Sequence, residues 1–312
     1  MPVTTLLVEN RSATDHTTPM GHPEQVARIE AITTALAASP FGALTRVDAP
    51  LAQHSDLLLC HPQHHIDRIE NAIPAGDAIP LDPDTYVSAG SWEAALRGVG
   101  GNLLAVDQVM AGAARNAFVA TRPPGHHCET AKPMGFCLFG NVALAARHAM
   151  ERHHLQRVAV VDFDVHHGNG TQDLLWDEPR ALFMSSQQMP LYPGTGSPSE
   201  RGGSNNVVNV ALDPGSDGAV MRRAYEAQVF PRLEAYKPEL ILISAGFDAH
   251  ADDPLANLNW REEDFTWLTR RICEIANIHC EGRVVSTLEG GYDLSALAAS
   301  VAAHVIELME HA

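Results

Sequence analysis

Basic residues are scarce: 21 lysines and arginines stand against 38 aspartates and glutamates, a formal charge of −17 over 312 residues. A surface of that sign repels nucleic-acid phosphates and anionic membranes, which argues against nucleic acid and membrane as partners. Cysteine is also sparse. The five present, Cys60, Cys128, Cys137, Cys273 and Cys280, are odd in number and widely spaced, which argues against a disulfide framework and suits the reducing cytoplasm. None sits in a Cys-x-x-Cys pair of the kind that holds zinc. No apolar run is long enough to span a bilayer, and the opening residues Met1 to Asn10 lack the basic start and apolar stretch of a secretory leader. Repeats, linkers and shifts of composition are missing too, so residues 1–312 read as one domain.

What the chain does have is an apolar run that breaks abruptly into carboxylates, imidazoles and glycines between Val158 and Thr171. Val158, Val160 and Val161 are β-branched, the pattern of a short strand buried on both faces of a parallel sheet. Alternate residues of an extended chain project to one side, so Asp162, Asp164 and His166 are expected to converge. Two such carboxylates stay ionised together only with a cation between them. Aspartate with imidazole suits zinc, and nearby oxygens suit a second, harder cation. An isolated Asp-x-His is more often a surface loop; the apolar strand before it argues against that reading here.

In chain order, Thr4 to Val8 reads as a strand, and Pro23 opens a helix whose Val26, Ile29, Ile32 and Leu36 keep helical spacing. His64 to Ala72 reads as a helix. Pro74 to Ser88, with three prolines and Asp77, Asp82 and Asp84, reads as a loop whose aspartates either line a pocket rim or are simply solvated. Ser91 is expected to cap a helix running to about Ala113. The strand Ala117 to Ala120 runs into a segment whose Pro123, Pro124 and Gly125 put His126 and His127 on a rigid turn. Asn141 reads as another helix cap. Strands follow at Ala181 to Ser185, Asn206 to Ala211, Leu240 to Ile243 and Arg283 to Leu288, with a long loop from Gln187 to Gly203. Helices are expected from Asp217, from Glu263 to Cys280 and from Leu294.

Alternating strands and helices imply an α/β fold: a single domain with one parallel sheet flanked by helices on both faces. Every odd polar cluster follows a strand, and in such sheets the ligand crevice lies outside the carboxyl ends of the strands. That brings His126, His127, Asp164, His166, Asp248 and Tyr292 to one edge. Asp164, His166 and Asp248 leave a zinc ion an open position for water and substrate. The adjacent histidines can serve as base and acid. Tyr292, on what reads as a flexible Gly290-Gly291 turn, can donate to an oxygen on which negative charge develops. Singly, the tyrosine is more often a packing residue and the His-His pair a surface accident. Together they suggest metal-assisted hydrolysis of an amide or ester.

The motifs Arg122-Pro-Pro-Gly-His-His, Gly135-Phe136, Asp162-Phe-Asp-Val-His-His-Gly-Asn-Gly-Thr, Pro193-Gly-Thr-Gly, Gly246-Phe-Asp and Glu289-Gly-Gly-Tyr extend across most of the chain. In them the sequence resembles the zinc-dependent histone deacetylase family, which includes bacterial deacetylase-like amidohydrolases and acetylpolyamine amidohydrolases. Glu289-Gly-Gly-Tyr and Asn169 look most like its class II branch. The resemblance implies an arginase-like sheet between helices, zinc on Asp164, His166 and Asp248, catalytic His126 and His127, and Tyr292 polarising the carbonyl. It also implies a structural potassium ion on Asp162, Asp164, His166 and Ser185, partly through backbone carbonyls. Gly135 and Phe136 would wall a narrow tunnel for an acylated amine, core packing being the plainer reading of Phe136. By the same resemblance His126 pairs with Asp162 and His127 with Asn169, which makes His127 the better base.

Some positions depart from the family pattern. Gln187 stands where many members have histidine, and Tyr192 where the opposite tunnel wall is commonly phenylalanine. Leu255 occupies a rim position where a polyamine-selective relative carries an acid, which favours acyl-lysine over acylpolyamine; Asp77, Asp82 or Asp84 could offset that. A silent module that binds acylated ligands would usually have lost a ligand, a histidine or the tyrosine, and all are present. A dimanganese ureohydrolase would need more bridging carboxylates and histidines. The expectation is a cytoplasmic zinc deacylase of acyl-lysine, with acetylpolyamine as the alternative substrate and homo-oligomerisation left undetermined.

Overall fold

The computed structural model describes residues 4–312. In the first half the chain forms β1 (Thr5–Glu9), α1 (Ala27–Leu36), β2 (Thr45–Asp48), α2 (His54–Leu57), α3 (Gln63–Asn71), β3 (Ile79–Pro80), β4 (Tyr86–Val87), α4 (Ser91–Met110), β5 (Asn116–Ala120) and α5 (Asn141–Arg152). The second half adds β6 (Val158–Asp162), α6 (Asn169–Leu175), β7 (Ala181–Gln188), β8 (Val207–Leu212), α7 (Gly218–Ala224), α8 (Phe230–Tyr236), β9 (Leu240–Ala245), α9 (Glu262–His279), β10 (Val284–Leu288) and α10 (Leu294–Glu310).

Eight strands pair in the order β2-β1-β5-β10-β9-β6-β7-β8, and every pairing is parallel. A parallel sheet has to be covered on both faces, and the strands are apolar on both. On β6, Ala159 and Val161 join the core that includes α1, α9 and α10, whereas Val158 and Val160 join the core that includes α4 and α5. The same alternation divides Ile241 and Ile243 from Leu240 and Leu242 on β9. At the carboxyl end the apolar ladder gives way to polar residues in register: Asp162 pairs with Ser185 on β7 and with Ser244 on β9. The loops beyond that level carry the polar clusters.

The structure corrects several local expectations. Pro74 to Ser88 is not merely a loop but contains the β3–β4 hairpin, whose turn is held by Asp82 Oδ1 accepting from the Asp84 and Thr85 amides at 3.0 and 2.8 Å. Ser91 and Asn141 do not cap their helices; Gly90 and Gly140 precede them in that position. Ser91 Oγ instead accepts from Ser88 N, and Asn141 Nδ2 donates to Pro123 O. The helix after Ser91 ends at Met110, short of Ala113. Strand β7 continues through Gln188, so Gln187 belongs to the buried sheet and not to a loop. The edge strand β2, largely exposed, and the short helices α2 and α6 lacked an apolar period that would reveal them.

Asp217 does cap α7, accepting from Val220 N at 3.0 Å, and α7 runs into α8 through a π-helical turn at Tyr225–Val229. The leader reading rests partly on Met1 to Val3, which lie outside the described residues. Among the described residues no helix is long and apolar enough to cross a membrane.

Candidate active site

Four strands that are consecutive in the sheet, β5, β10, β9 and β6, deliver the site from their carboxyl ends. After β6 come Asp164 and His166, and after β9 comes Asp248. His166 Nδ1 lies 3.1 Å from Asp164 Oδ1 and 3.1 Å from Asp248 Oδ2. One ligand atom from each of the three falls within 4.8 Å of the others, and all three residues are buried. Backbone amides fix the carboxylates: Gly290 N donates to Asp164 Oδ2 at 2.8 Å, and Val165 N to Asp248 Oδ1 at 3.0 Å. Gly290 has to be glycine, because a Cβ there would stand 2.1 Å from Asp248 Oδ2. Two buried carboxylates here face imidazoles, with no lysine or arginine ion pair among the described residues. That donor set and that missing countercharge fit a divalent cation of the zinc type.

Asp162 does not converge with Asp164 and His166 as strand alternation predicts. The strand ends at Asp162, so the two-residue period stops there. Its Oδ1 accepts from Asp164 N at 3.1 Å and its Oδ2 lies 3.0 Å from His126 Nδ1.

His126 and His127 stand with ring centroids 4.0 Å apart on the turn after β5. Their partners differ. His126 meets the Asp162 carboxylate, whereas His127 Nδ1 donates to Asn169 Oδ1 at 2.7 Å. Asn169 is oriented by its own amide, which donates to Glu129 Oε1 at 2.8 Å, so its oxygen faces His127. His127 therefore carries its proton on Nδ1 and leaves the Nε2 lone pair free. Burial opposes a charge on His126, but the Asp164 and Asp162 carboxylates outweigh it and hold this imidazole well above its usual range. Burial, with the neighbouring His126 and His166, pushes His127 well below it.

Tyr292 follows β10, and its turn is pinned, not flexible as the two glycines suggested. Gly290 N is held by Asp164, Tyr292 N donates to Asp253 Oδ2 at 2.7 Å, and Arg28 Nε donates to Gly291 O at 2.6 Å. The Arg28 guanidinium also lies 4.9 Å from the centre of the Tyr292 ring. Glu289 ties the same turn to the histidine turn, its Oε2 accepting from Gly125 N at 2.7 Å and His126 N at 3.1 Å. Burial pushes the Glu289 carboxyl up to about 7.

A cavity of about 200 Å³ runs out from His127, His166 and Tyr292. Phe136 walls it beside Tyr292, with ring centroids 5.9 Å apart, and Tyr192 walls it beside His127, at 5.2 Å. Leu255 lines it as well. Of the three loop acids only Asp84 does so; Asp77 is exposed. Gly135 packs so closely that a Cβ would sit 2.3 Å from the His127 ring, and its φ of +55° suits glycine. Phe136 adopts φ 70°, rare for an aromatic residue, and is held there from the hairpin. Asp84 Oδ1 accepts from Gly135 N at 3.1 Å and Thr85 Oγ1 from Phe136 N at 3.0 Å. Sequence reasoning missed Arg28 and Thr85. The one available signal for Arg28 was its place four residues after Glu24 on an otherwise core-facing helix. Larger clefts, of about 510 and 450 Å³, contain none of these side chains, so chemistry and not volume marks the site.

Residues 22–308 match the model of the histone deacetylase domain. An uncharacterized protein of Synechocystis is 42% identical over 290 residues, covering 92% of this chain and 93% of that protein. The histone deacetylase-like amidohydrolase of Pseudomonas aeruginosa is 40% identical over 248 residues, covering 78% of this chain and 65% of its own length. In three dimensions the crystal structure of the HDA15 HD domain superposes with a TM-score of 0.93 at 30% identity, over 98% of this chain and 88% of that one. The chain belongs to the histone deacetylase family and is a hydrolase of the deacetylase type.

Proposed function

We propose that this chain removes acetyl or other short acyl groups from lysine side chains, using zinc held by Asp164, His166 and Asp248. The observation that carries the reading is the meeting, in one aromatic-walled cavity, of His127 with its free Nε2, Tyr292 and His166, the last grouped with the buried Asp164 and Asp248 carboxylates. When bound, zinc supplies Lewis-acid polarisation of the acyl carbonyl and of the attacking water. His127 Nε2 takes the proton of that water and returns it to the leaving amine. His126, kept cationic by Asp162 and Asp164, stabilises negative charge without giving up its proton. The Tyr292 hydroxyl donates to the oxygen on which that charge develops. Phe136 and Tyr192 flank the aliphatic stem, and Leu255 offers it apolar surface.

We also propose a structural potassium ion held by Asp162, Asp164, His166 and Ser185, partly through backbone carbonyls, so the Asp162 side chain need not converge with those of Asp164 and His166. Asp162 and Ser185 are strand neighbours, both fully buried; burial pushes the Asp162 carboxyl up to about 6, and a monovalent cation there would favour its ionised form. Residues 1–312 act as one catalytic domain. The five cysteines, none of them paired, suit the cytoplasm.

Acetylpolyamine is the second reading, and Asp84 favours it: a half-buried carboxylate in the cavity wall can meet a cationic stem. Catalytic efficiencies on acetyl-lysine peptides, acetylated polyamines and small amides separate the two. Acetyl-lysine is expected to lead; a polyamine ahead of every lysine substrate reverses the assignment.

A further inference from the structure

Outside the site two more groups of ligand-type side chains come together: His61 with His65 and Cys128, and Asp107 with His148 and His153. The first is wholly buried, and both ring nitrogens of His61 are already engaged. His61 Nδ1 donates to Thr130 O while its Nε2 accepts from Gly140 N, and His65 Nε2 donates to Leu138 O. The second is open. Asp107 lies in the last turn of α4, His148 in α5, and His153 immediately after α5. Both imidazole Nε2 atoms point at the same oxygen, Asp107 Oδ1, each at 2.7 Å. Asp107 is 47% exposed and His153 25%, whereas His148 is nearly buried, so the group is anchored on one side and accessible on the other.

The surroundings favour positive charge. Helices α4 and α5 pack together and end together here, so the negative ends of two helix dipoles meet at the group. A cleft of about 510 Å³ opens beside Asp107 and His148, and it carries Asp56 and Glu151 against a single Arg152. This is also the far side of the molecule from the cavity. Each helix ends just before the start of a strand, α4 before β5 and α5 before β6, whereas the catalytic residues lie beyond the strands' carboxyl ends.

We propose that Asp107, His148 and His153 form a second, surface site for a divalent cation of the zinc class, independent of the catalytic centre. Two imidazoles and one carboxylate suit zinc, copper or nickel and not magnesium or calcium. Ligands about 2.0–2.2 Å from zinc in a tetrahedron stand roughly 3.3 Å apart. The two imidazole–carboxylate contacts therefore open by about half an ångström from their present 2.7 Å, a motion the exposed Asp107 carboxylate permits. Each imidazole moves its proton to Nδ1 to bind, and water completes the shell. The ion ties the ends of α4 and α5 together, so its binding stabilises the folded chain.

The test compares the parent with Asp107→Asn and His153→Gln, two substitutions at accessible positions. Each full-length protein is dialysed to equilibrium against micromolar Zn²⁺ and its metal content is measured. The parent is expected to hold one equivalent more than either variant, to gain thermal stability from zinc that the variants do not gain, and to match them in hydrolytic rate. Because the readout is a difference, it is unaffected by what the catalytic centre holds. Equal zinc content in parent and both variants overturns the proposal.

Discussion

Asn169 presents a neutral amide oxygen to His127 at 2.7 Å, whereas the neighbouring His126 meets the Asp162 carboxylate at 3.0 Å. Two imidazoles in contact are thereby given unlike duties. The amide fixes the tautomer of His127 without favouring its cation, and the carboxylate favours the cation of His126. Asn169→Asp removes that distinction. It raises the pKa of His127, so the base becomes neutral only at higher pH and the acidic limb of the rate profile moves to higher pH. The two titrations couple, and the limb is the observable. If Asn169→Asp leaves the limb in place while Asp162→Asn moves it, the roles are reversed.

Tyr292→Phe is expected to keep the fold and the bound metal and to slow turnover by about a hundredfold to a thousandfold, the usual cost of one donor to a developing oxyanion. The ring, stacked under Arg28 and beside Phe136, is retained in this variant. Kinetics with measured zinc content check it. A rate within about twofold of the parent, under half a kcal/mol, makes Tyr292 a wall residue only.

Glu24 is fully buried between Arg28, at 3.0 Å, and Arg122, at 2.5 Å. Burial alone would raise its carboxyl, but the charge of Arg122 and the hydrogen bonds of His16 and Arg122 hold it well below the usual range. A depressed carboxyl contributes stability that is present above its unfolded pKa, about 4.3, and lost as pH falls toward the folded value. Glu24→Gln leaves two guanidinium groups without countercharge, which costs about 3–5 kcal/mol at neutral pH. Denaturant unfolding of both proteins across acidic pH checks this: the gap is expected to narrow as pH falls, and a gap that does not change with pH contradicts it.

Leu255→Glu tests the rim. A carboxylate beside the cavity is expected to raise efficiency on acetylated polyamines, relative to acetyl-lysine peptides, by about 1.5-fold to fivefold, the scale of a solvent-facing ion pair. An unchanged ratio removes Leu255 from the specificity argument.

The parallel core was legible because strands buried on both faces are written in consecutive β-branched and aliphatic residues, as from Val158 to Val161 and from Leu240 to Ile243. The site residues were legible because they follow those strands directly. The supports were not. Arg28 reaches Gly291 across 263 residues of sequence and Asp84 reaches Gly135 across 51, and such contacts leave no local periodicity. Ser91 has the composition of a cap, but its hydroxyl is engaged by Ser88 N and His16 Nδ1, so the fold, not the local preference, decides its role. The exposed edge strand β2 offered no apolar face to detect.

Hydrolysis of acyl-lysine by a zinc ion on Asp164, His166 and Asp248 is tested by following acetate release from an acetyl-lysine peptide while metal is removed and restored. Chelation is expected to abolish release, zinc to restore it in the parent, and Asp248→Ala to show no release at any zinc concentration. Undiminished release from parent protein shown by elemental analysis to be free of metal would contradict the account.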